Sequence, residues 1–270
     1  MINVWLATLF GVLEGVTEWL PISSTGHLIL LRHFVCFPVR DAFFSLFEVV
    51  IQLAAMGAVF VCFFQKLNPF SANKSRREKR ATWRLYLMVA IATLPAAVVG
   101  VLLDDWLDAH LYRYEVVAAT LVFYGVVFIV IERVREKRAR VLDVAEIGPR
   151  HALGVGAAQV LSLVPGTSRS GATILGGMLS GLSRPVAAEF SFFLGIPVMC
   201  GASLLKASKF FLSGDRLCTE EWWMLAVGSL AAFFCSLLAI RALVRFVGRH
   251  TLLAFGVYRI LLGAAVLILK

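Results

Sequence analysis

The chain has 270 residues, 60% of them hydrophobic and only 16% charged, and its mean hydropathy is +0.84. A soluble domain is about 45–50% apolar and about 25% charged, so an ordinary soluble enzyme, a coiled coil and a disordered chain are excluded in favour of a polytopic membrane protein. The 26 Lys+Arg against 17 Asp+Glu, a net charge of +9, read as basic cytoplasmic loops rather than as a nucleic-acid surface.

The N-terminal MINVWLATLFGVLEG has no basic n-region and no small-residue cleavage site, so it is not expected to be a removable signal peptide. Six later stretches, residues 42–64, 85–103, 116–131, 187–205, 222–240 and 251–269, are apolar enough to span. A span needs about 20 residues, so 116–131 is expected to borrow Tyr112 to Glu115. Trp83, Trp106, Trp222 and Trp223 fall at span ends, where indoles favour the membrane interface. The five cysteines have no metal-like spacing and read as small core hydrophobes.

Loop charge predicts orientation. Residues 65–83 carry Lys66, Lys74, Arg76, Arg77, Lys79 and Arg80. Residues 132–150 carry Arg133, Arg135, Lys137, Arg138, Arg140 and Arg150, and 241–250 carry Arg241, Arg245 and Arg249. These three loops are expected in the cytoplasm. The acidic 104–115 loop and the balanced 206–221 loop are expected outside. The chain is then cytoplasmic both at Arg150 and at Arg184, so the apolar stretch between them must enter and leave on one face. A Pro-Gly-Thr-Ser-Arg-Ser-Gly break splits it into two short pieces, a re-entrant pair of half-helices. Irregular backbone persists at membrane depth only inside protein or along a wet cavity.

The first 35 residues repeat the device. Aligning GVLEGVTEWLPISSTGHLIL with GAAQVLSLVPGTSRSGATIL pairs Gly11 with Gly156, Glu14 with Gln159, Ser23 with Ser168, Thr25 with Ser170, Gly26 with Gly171 and Ile29 with Ile174. Pro21 and Pro165 are one place out of register. Three spans follow each break, so the second half is predicted to be inverted relative to the first. The expected fold is all-α and polytopic: one membrane domain of six full spans plus two re-entrant hairpins (1–35 and 151–182), arranged as repeat 1 (about 1–131) and repeat 2 (about 151–270), with both ends outside.

Polar residues at membrane depth are functional suspects. Glu14 and Glu18 are four apart and share a helix face; two carboxylates so close favour a divalent cation or a retained proton. Ser23, Ser24, Thr25, Gly26 and His27 are expected to lead into a half-helix at 28–35. Thr167, Ser168, Arg169, Ser170 and Gly171 are expected to lead into another at 172–182. Helix N-termini bind anions. Capping accounts for one hydroxyl per turn, not for three beside an arginine and a histidine. Arg169 offers a fork suited to phosphate. His27, three residues after Ser24, could act as its base. Glu48, Gln52 and Glu189 also sit in or at the ends of spans and are read as either structural hydrogen bonders or site support. The basic run at Lys74–Arg80 is read as a topology signal in contact with anionic lipid. Together the polar groups suit a phosphate or diphosphate on a lipid, to be hydrolysed. A lipid-phosphate flippase is the alternative, because inverted repeats with broken helices are a transporter architecture.

EGVTEWLPISSTGH and PGTSRSGAT resemble the two signature motifs of the bacterial undecaprenyl-diphosphate phosphatase family, and the resemblance extends over essentially the whole chain. Glu14 and Glu18 match its (Glu/Gln)-x-x-x-Glu pattern, Ser24 and His27 its Ser-Ser-Thr-Gly-His turn, and Arg169 the arginine of its second motif. Trp19 stands where phenylalanine is more usual. The resemblance implies an enzyme of the bacterial inner membrane whose site opens outward. It implies hydrolysis of a long isoprenyl diphosphate carrier lipid to the monophosphate and inorganic phosphate, bacitracin resistance, and a divalent cation, Mg²⁺ or Ca²⁺, for which Glu14 and Glu18 are the candidate ligands. Membrane lipids are expected partners, nucleic acid is not, and a homodimer is left open. The nucleophile, Ser24, His27 or water, is also left open.

Overall fold

The computed structural model describes residues 2–111, 113–135 and 139–268. Expectations that rest on Met1, Tyr112, Lys137, Arg138 and Leu269 lie outside those residues. The described residues are helical, without a strand; the one β-type contact is an isolated bridge between Val141 and Leu182. Among the described residues five helices are long and apolar enough to cross a membrane: α3 (Asp41–Cys62), α5 (Arg76–Leu111), α6 (Tyr114–Arg135), α9 (Arg184–Leu212) and α10 (Thr219–Val247). The expected sixth, α11 (Leu253–Ile268), runs 16 residues and is shorter than those.

α5 begins earlier than its apolar run. Ser75 and Glu78 form a reciprocal capping box, with Glu78 Oε2 accepting from Ser75 N–H at 2.7 Å and Ser75 Oγ from Glu78 N–H at 3.3 Å. That satisfies two end donors and starts the helix inside the basic segment, so Arg76, Arg77, Lys79 and Arg80 are helical rather than loop.

Two helical hairpins stand apart from the long helices. α1 (Ile2–Thr17) turns through Pro21 into α2 (Ser24–Phe34), and α7 (Pro149–Val160) turns through Pro165 into α8 (Arg169–Leu179). Both second helices start three or four residues before the expected points. Ser23 and Ser168 take the cap, and their hydroxyls accept from the N–H of Gly26 at 3.3 Å and Gly171 at 3.1 Å. The hydroxyl-rich residues therefore form the first helical turn. A short α4 (Phe64–Leu67) completes the set.

Small residues set the packing. α1 lies on α10 and α7 on α5. A Cβ on Gly11 would strike the Gly228 carbonyl, and one on Gly156 the Ala92 carbonyl, so the backbones approach as closely as small-residue membrane interfaces allow. α3 also packs on α10, α9 on α5, and α6 on α11.

The loops sort into two ends. At one end Arg40 pairs with Asp215 at 2.7 Å and Glu221 at 3.0 Å, and Lys209 with Asp105 at 2.8 Å. At the other, Lys66 pairs with Glu189 at 2.6 Å, and Glu132 holds Arg184 at 2.5 Å and the Leu252 N–H at 3.2 Å. The cysteines are all free, as their spacing suggested, but they are less buried than expected: Cys36 and Cys218 are exposed and the other three half-buried.

Candidate active site

The two hairpin turns meet. Glu18, just past the end of α1, is buried at 5% exposure. Its Oε2 accepts the Ser24 hydroxyl at 2.8 Å and faces Gln52 Nε2 at 3.4 Å; its Oε1 takes Arg169 Nη2 at 3.1 Å. Ser24 opens α2 and Arg169 opens α8, so a hydroxyl, a carboxylate and a guanidinium from two distant segments converge beside two helix N-termini. Ser170 ties the turns together by donating to the backbone oxygens of Glu18 and Leu20, each at 3.1 Å. Gln52 belongs to this cluster.

Glu14 is buried one turn before Glu18, and its Oε1 has no hydrogen-bond partner. An orphaned buried carboxylate oxygen is costly unless it meets a proton, a donor or a cation. Thr167 is fully buried. Ser168 lies 3.2 Å from Ser170, hydroxyl to hydroxyl. Gly26 and Gly171 sit within their first helical turns, packed on Leu121 and on Arg259 and Phe128 respectively. Thr25 is half-buried at the second position of α2.

Both caps are strained. Ser23 has φ 72° and Ser168 φ 70°, the two non-glycine residues with positive φ among those described. Such conformations cost on the order of 1–3 kcal/mol and gather at functional sites.

His27 does not contact Ser24 as expected. Its Nδ1 lies 2.7 Å from the Ser23 carbonyl and its Nε2 2.7 Å from the Tyr258 hydroxyl. A carbonyl can only accept, so Nδ1 carries the proton, and Nε2 of the neutral ring accepts from Tyr258. Both ring nitrogens are therefore taken by partners other than Ser24. Glu189 is also elsewhere: it pairs with Lys66 on the wall of a cavity of about 520 Å³ that Lys74, Glu78 and Asp143 also line. Burial there holds the Lys74 ammonium below its usual range. Glu48 is a half-buried residue of α3.

Arg259, in α11, is the residue that sequence reasoning missed. It is fully buried, donating to the carbonyls of Pro21 at 3.2 Å and of Gly166 and Thr167 at 2.9 Å each. One guanidinium therefore clamps both turns, with the Tyr124 and Phe128 rings 5.8 Å away. Its signal was a lone arginine inside an apolar stretch, accompanied by Tyr258.

Among the described residues no group of three or more His, Cys, Asp or Glu side chains could enclose a metal ion. Two carboxylates with a free oxygen still suit a hard cation that takes its remaining ligands from phosphate and water.

A family model described as Bacitracin resistance protein BacA matches residues 7–265. The chain is 50% identical over 263 residues to the undecaprenyl-diphosphatase of Enterococcus faecalis, covering 97% of this chain and 95% of that protein. It is 52% identical to the undecaprenyl-diphosphatase of Lactococcus lactis subsp. cremoris strain SK11, with the same coverages. It is 50% identical to that of Streptococcus thermophilus, covering 99% of this chain and 93% of the relative. With nearly its whole length matched by one family model, the chain belongs to the bacitracin resistance protein BacA family.

Proposed function

We propose that the protein is an undecaprenyl-diphosphate phosphatase, which hydrolyses the lipid diphosphate to undecaprenyl phosphate and inorganic phosphate. The observation that carries this is the Ser24–Glu18–Arg169 array, a hydroxyl on a carboxylate that also holds a guanidinium. Relatives at about 50% identity bear that enzyme's name.

In the mechanism, Ser24 Oγ attacks the terminal phosphorus while Glu18 Oε2 takes its proton. The bond from that phosphorus to the bridging oxygen breaks, and the lipid monophosphate leaves with the electron pair. Water then cleaves the phosphoserine, releasing inorganic phosphate and restoring the Ser24 hydroxyl. Arg169, Ser170 and the first-turn N–H groups of α2 and α8 face the charge that builds on the phosphoryl oxygens. His27 holds the strained turn at Ser23 rather than serving as the base.

A divalent cation, Mg²⁺ or Ca²⁺, would be held by Glu14 and Glu18, and the orphaned Glu14 Oε1 supports this. It would supply charge neutralisation on the diphosphate. The isoprenyl tail lies along apolar helix surfaces facing lipid.

The two hairpins are re-entrant and the halves form an inverted repeat in the bacterial cytoplasmic membrane, with both ends and the site opening outward. The reciprocal packing of α1 on α10 and α7 on α5 supports the repeat. The sorting of acidic and basic loops to opposite ends supports the orientation. Purified protein in detergent, given an isoprenyl diphosphate, should release inorganic phosphate. Release of none, alongside lipid movement in vesicles, would replace the enzyme by a flippase.

A further inference from the structure

Gly195 sits in the middle of α9, where glycine costs about 1 kcal/mol relative to alanine. The structure gives a reason for it. A Cβ on Gly195 would stand 2.9 Å from Cζ, Nη1 and Nη2 of Arg169 alike, so the guanidinium lies flat against the bare helix backbone. One turn earlier, Ser191 accepts Nη1 on its carbonyl at 2.7 Å, and its hydroxyl stands 3.4 Å from the same nitrogen. The Ser191 hydroxyl is itself 2.6 Å from that of Thr173, one turn into α8.

We infer that the Ser191–Gly195 turn of α9 is a seat that fixes the plane and edge of Arg169, making Gly195 a positioning residue for phosphoryl transfer. This rests on the proposed phosphatase reading. Seating uses one face of the guanidinium and Nη1. The opposite edge, Nε with Nη2, is left toward the site. There Nη2 meets Glu18, and Nε is buried without a partner. Nε and Nη2 together form the side-on fork that takes two phosphate oxygens. A diphosphate that docks on this edge fills the empty Nε position and displaces Glu18 from Nη2. Glu18 then keeps Ser24 and Gln52 on its Oε2. The resting Arg169–Glu18 pair is a placeholder for the substrate, and α9 keeps the arginine from following the carboxylate when the pair opens.

A methyl group at 195 must push the guanidinium off its seat, and a shift of ~1 Å in a catalytic group can cost about 10²-fold. The test uses the full-length protein in detergent, with Gly195→Ala, Arg169→Lys and the double variant, measuring kcat and KM for phosphate release from an isoprenyl diphosphate. Gly201→Ala is the control, because Gly201 is on the same helix with open space beside it. Gly195→Ala should lower kcat by about tenfold to a hundredfold, and Arg169→Lys should cost little more in that background than Gly195→Ala alone. Additive losses, or a kcat for Gly195→Ala like that of Gly201→Ala, would overturn the seat.

Thermal unfolding without substrate provides a second measurement. Gly195→Ala should lower Tm, and adding Arg169→Ala should restore most of the loss by removing the group that the methyl strikes. An equal loss in both backgrounds, or failure to fold in both, would place the collision elsewhere and reject the inference. This measurement does not depend on turnover. If the wild-type protein releases no phosphate, the phosphatase reading fails and the unfolding cycle still decides the seat.

Discussion

The Ser24 hydroxyl is bonded to the Glu18 carboxylate at 2.8 Å, across a turn whose Pro21 carbonyl is gripped by Arg259. The proposed nucleophile and base thus lie on either side of one break in the chain, and their separation depends on the shape of that break.

Ser24→Ala should lower phosphate release by at least about 10²-fold, and Glu18→Gln by about 10²–10³-fold, as expected for removal of a group that acts in the transition state. Stopped early in turnover, the wild-type protein should carry phosphate on Ser24, detectable by peptide mass spectrometry. Full turnover in Ser24→Ala would assign the attack to water or to His27.

Arg259→Met should reduce both stability and turnover. Three carbonyls lose a charged donor, and bonds of that kind contribute about 1.5–3 kcal/mol each. A loss of at least about 3 kcal/mol is expected, read as a lowered Tm in detergent. Arg259→Lys should recover part of it, since a point charge cannot reach three carbonyls on two turns at once. A Tm unchanged in Arg259→Met would mean that the turns hold together without the clamp.

Chelation should abolish phosphate release, and added Mg²⁺ or Ca²⁺ should restore it. Glu14→Gln should raise the cation concentration needed for half-maximal activity without unfolding the protein, because the amide keeps the shape of the carboxylate and discards its charge. Activity that persists in excess chelator would assign Glu14 to a proton instead of a cation.

Cys36 and Cys218 are exposed and lie on segments proposed to face outward. A membrane-impermeant maleimide added to intact cells should label both. With those two replaced by serine, labelling should fall to background. Labelling only after the cells are opened would invert the proposed orientation.

Tyr258→Phe removes the donor to His27 Nε2 while keeping the stacked ring, whose centroid lies 5.6 Å from the imidazole. Loss of one neutral hydrogen bond costs about 1 kcal/mol, so kcat should fall by less than about tenfold. His27→Ala, which also frees the Ser23 carbonyl, should cost more. Equal losses would place the whole role of His27 in its contact with Tyr258.

Much of this site was legible in the sequence because its polar residues interrupt apolar runs. Glu14, Glu18, Ser24 and Arg169 cluster around Pro21 and Pro165, and breaks of that kind stand out against a lipid-facing background. α2 and α8 start before the expected points because the sequence offers several capping hydroxyls in each turn without marking which one caps; the fold assigns that role to Ser23 and Ser168, both at positive φ. The Ser24–His27 contact failed because sequence spacing sets which residues lie near one another but not which carbonyl a ring nitrogen meets. Arg259 passed unnoticed because a single charge in a hydrophobic segment has no local motif, and its three partners lie far away along the chain. Gly195 has no sequence signal beyond being glycine in a helix.

The grip of Arg259 on both turns also bears on biogenesis. The clamp comes from α11, 238 residues after Pro21, so Glu18 and Ser24 are synthesised well before it. Until α11 has been inserted, nothing from it closes the two breaks, and the nascent protein carries acids and hydroxyls that are not yet aligned. Alignment of the two turns therefore waits for a helix made long after them.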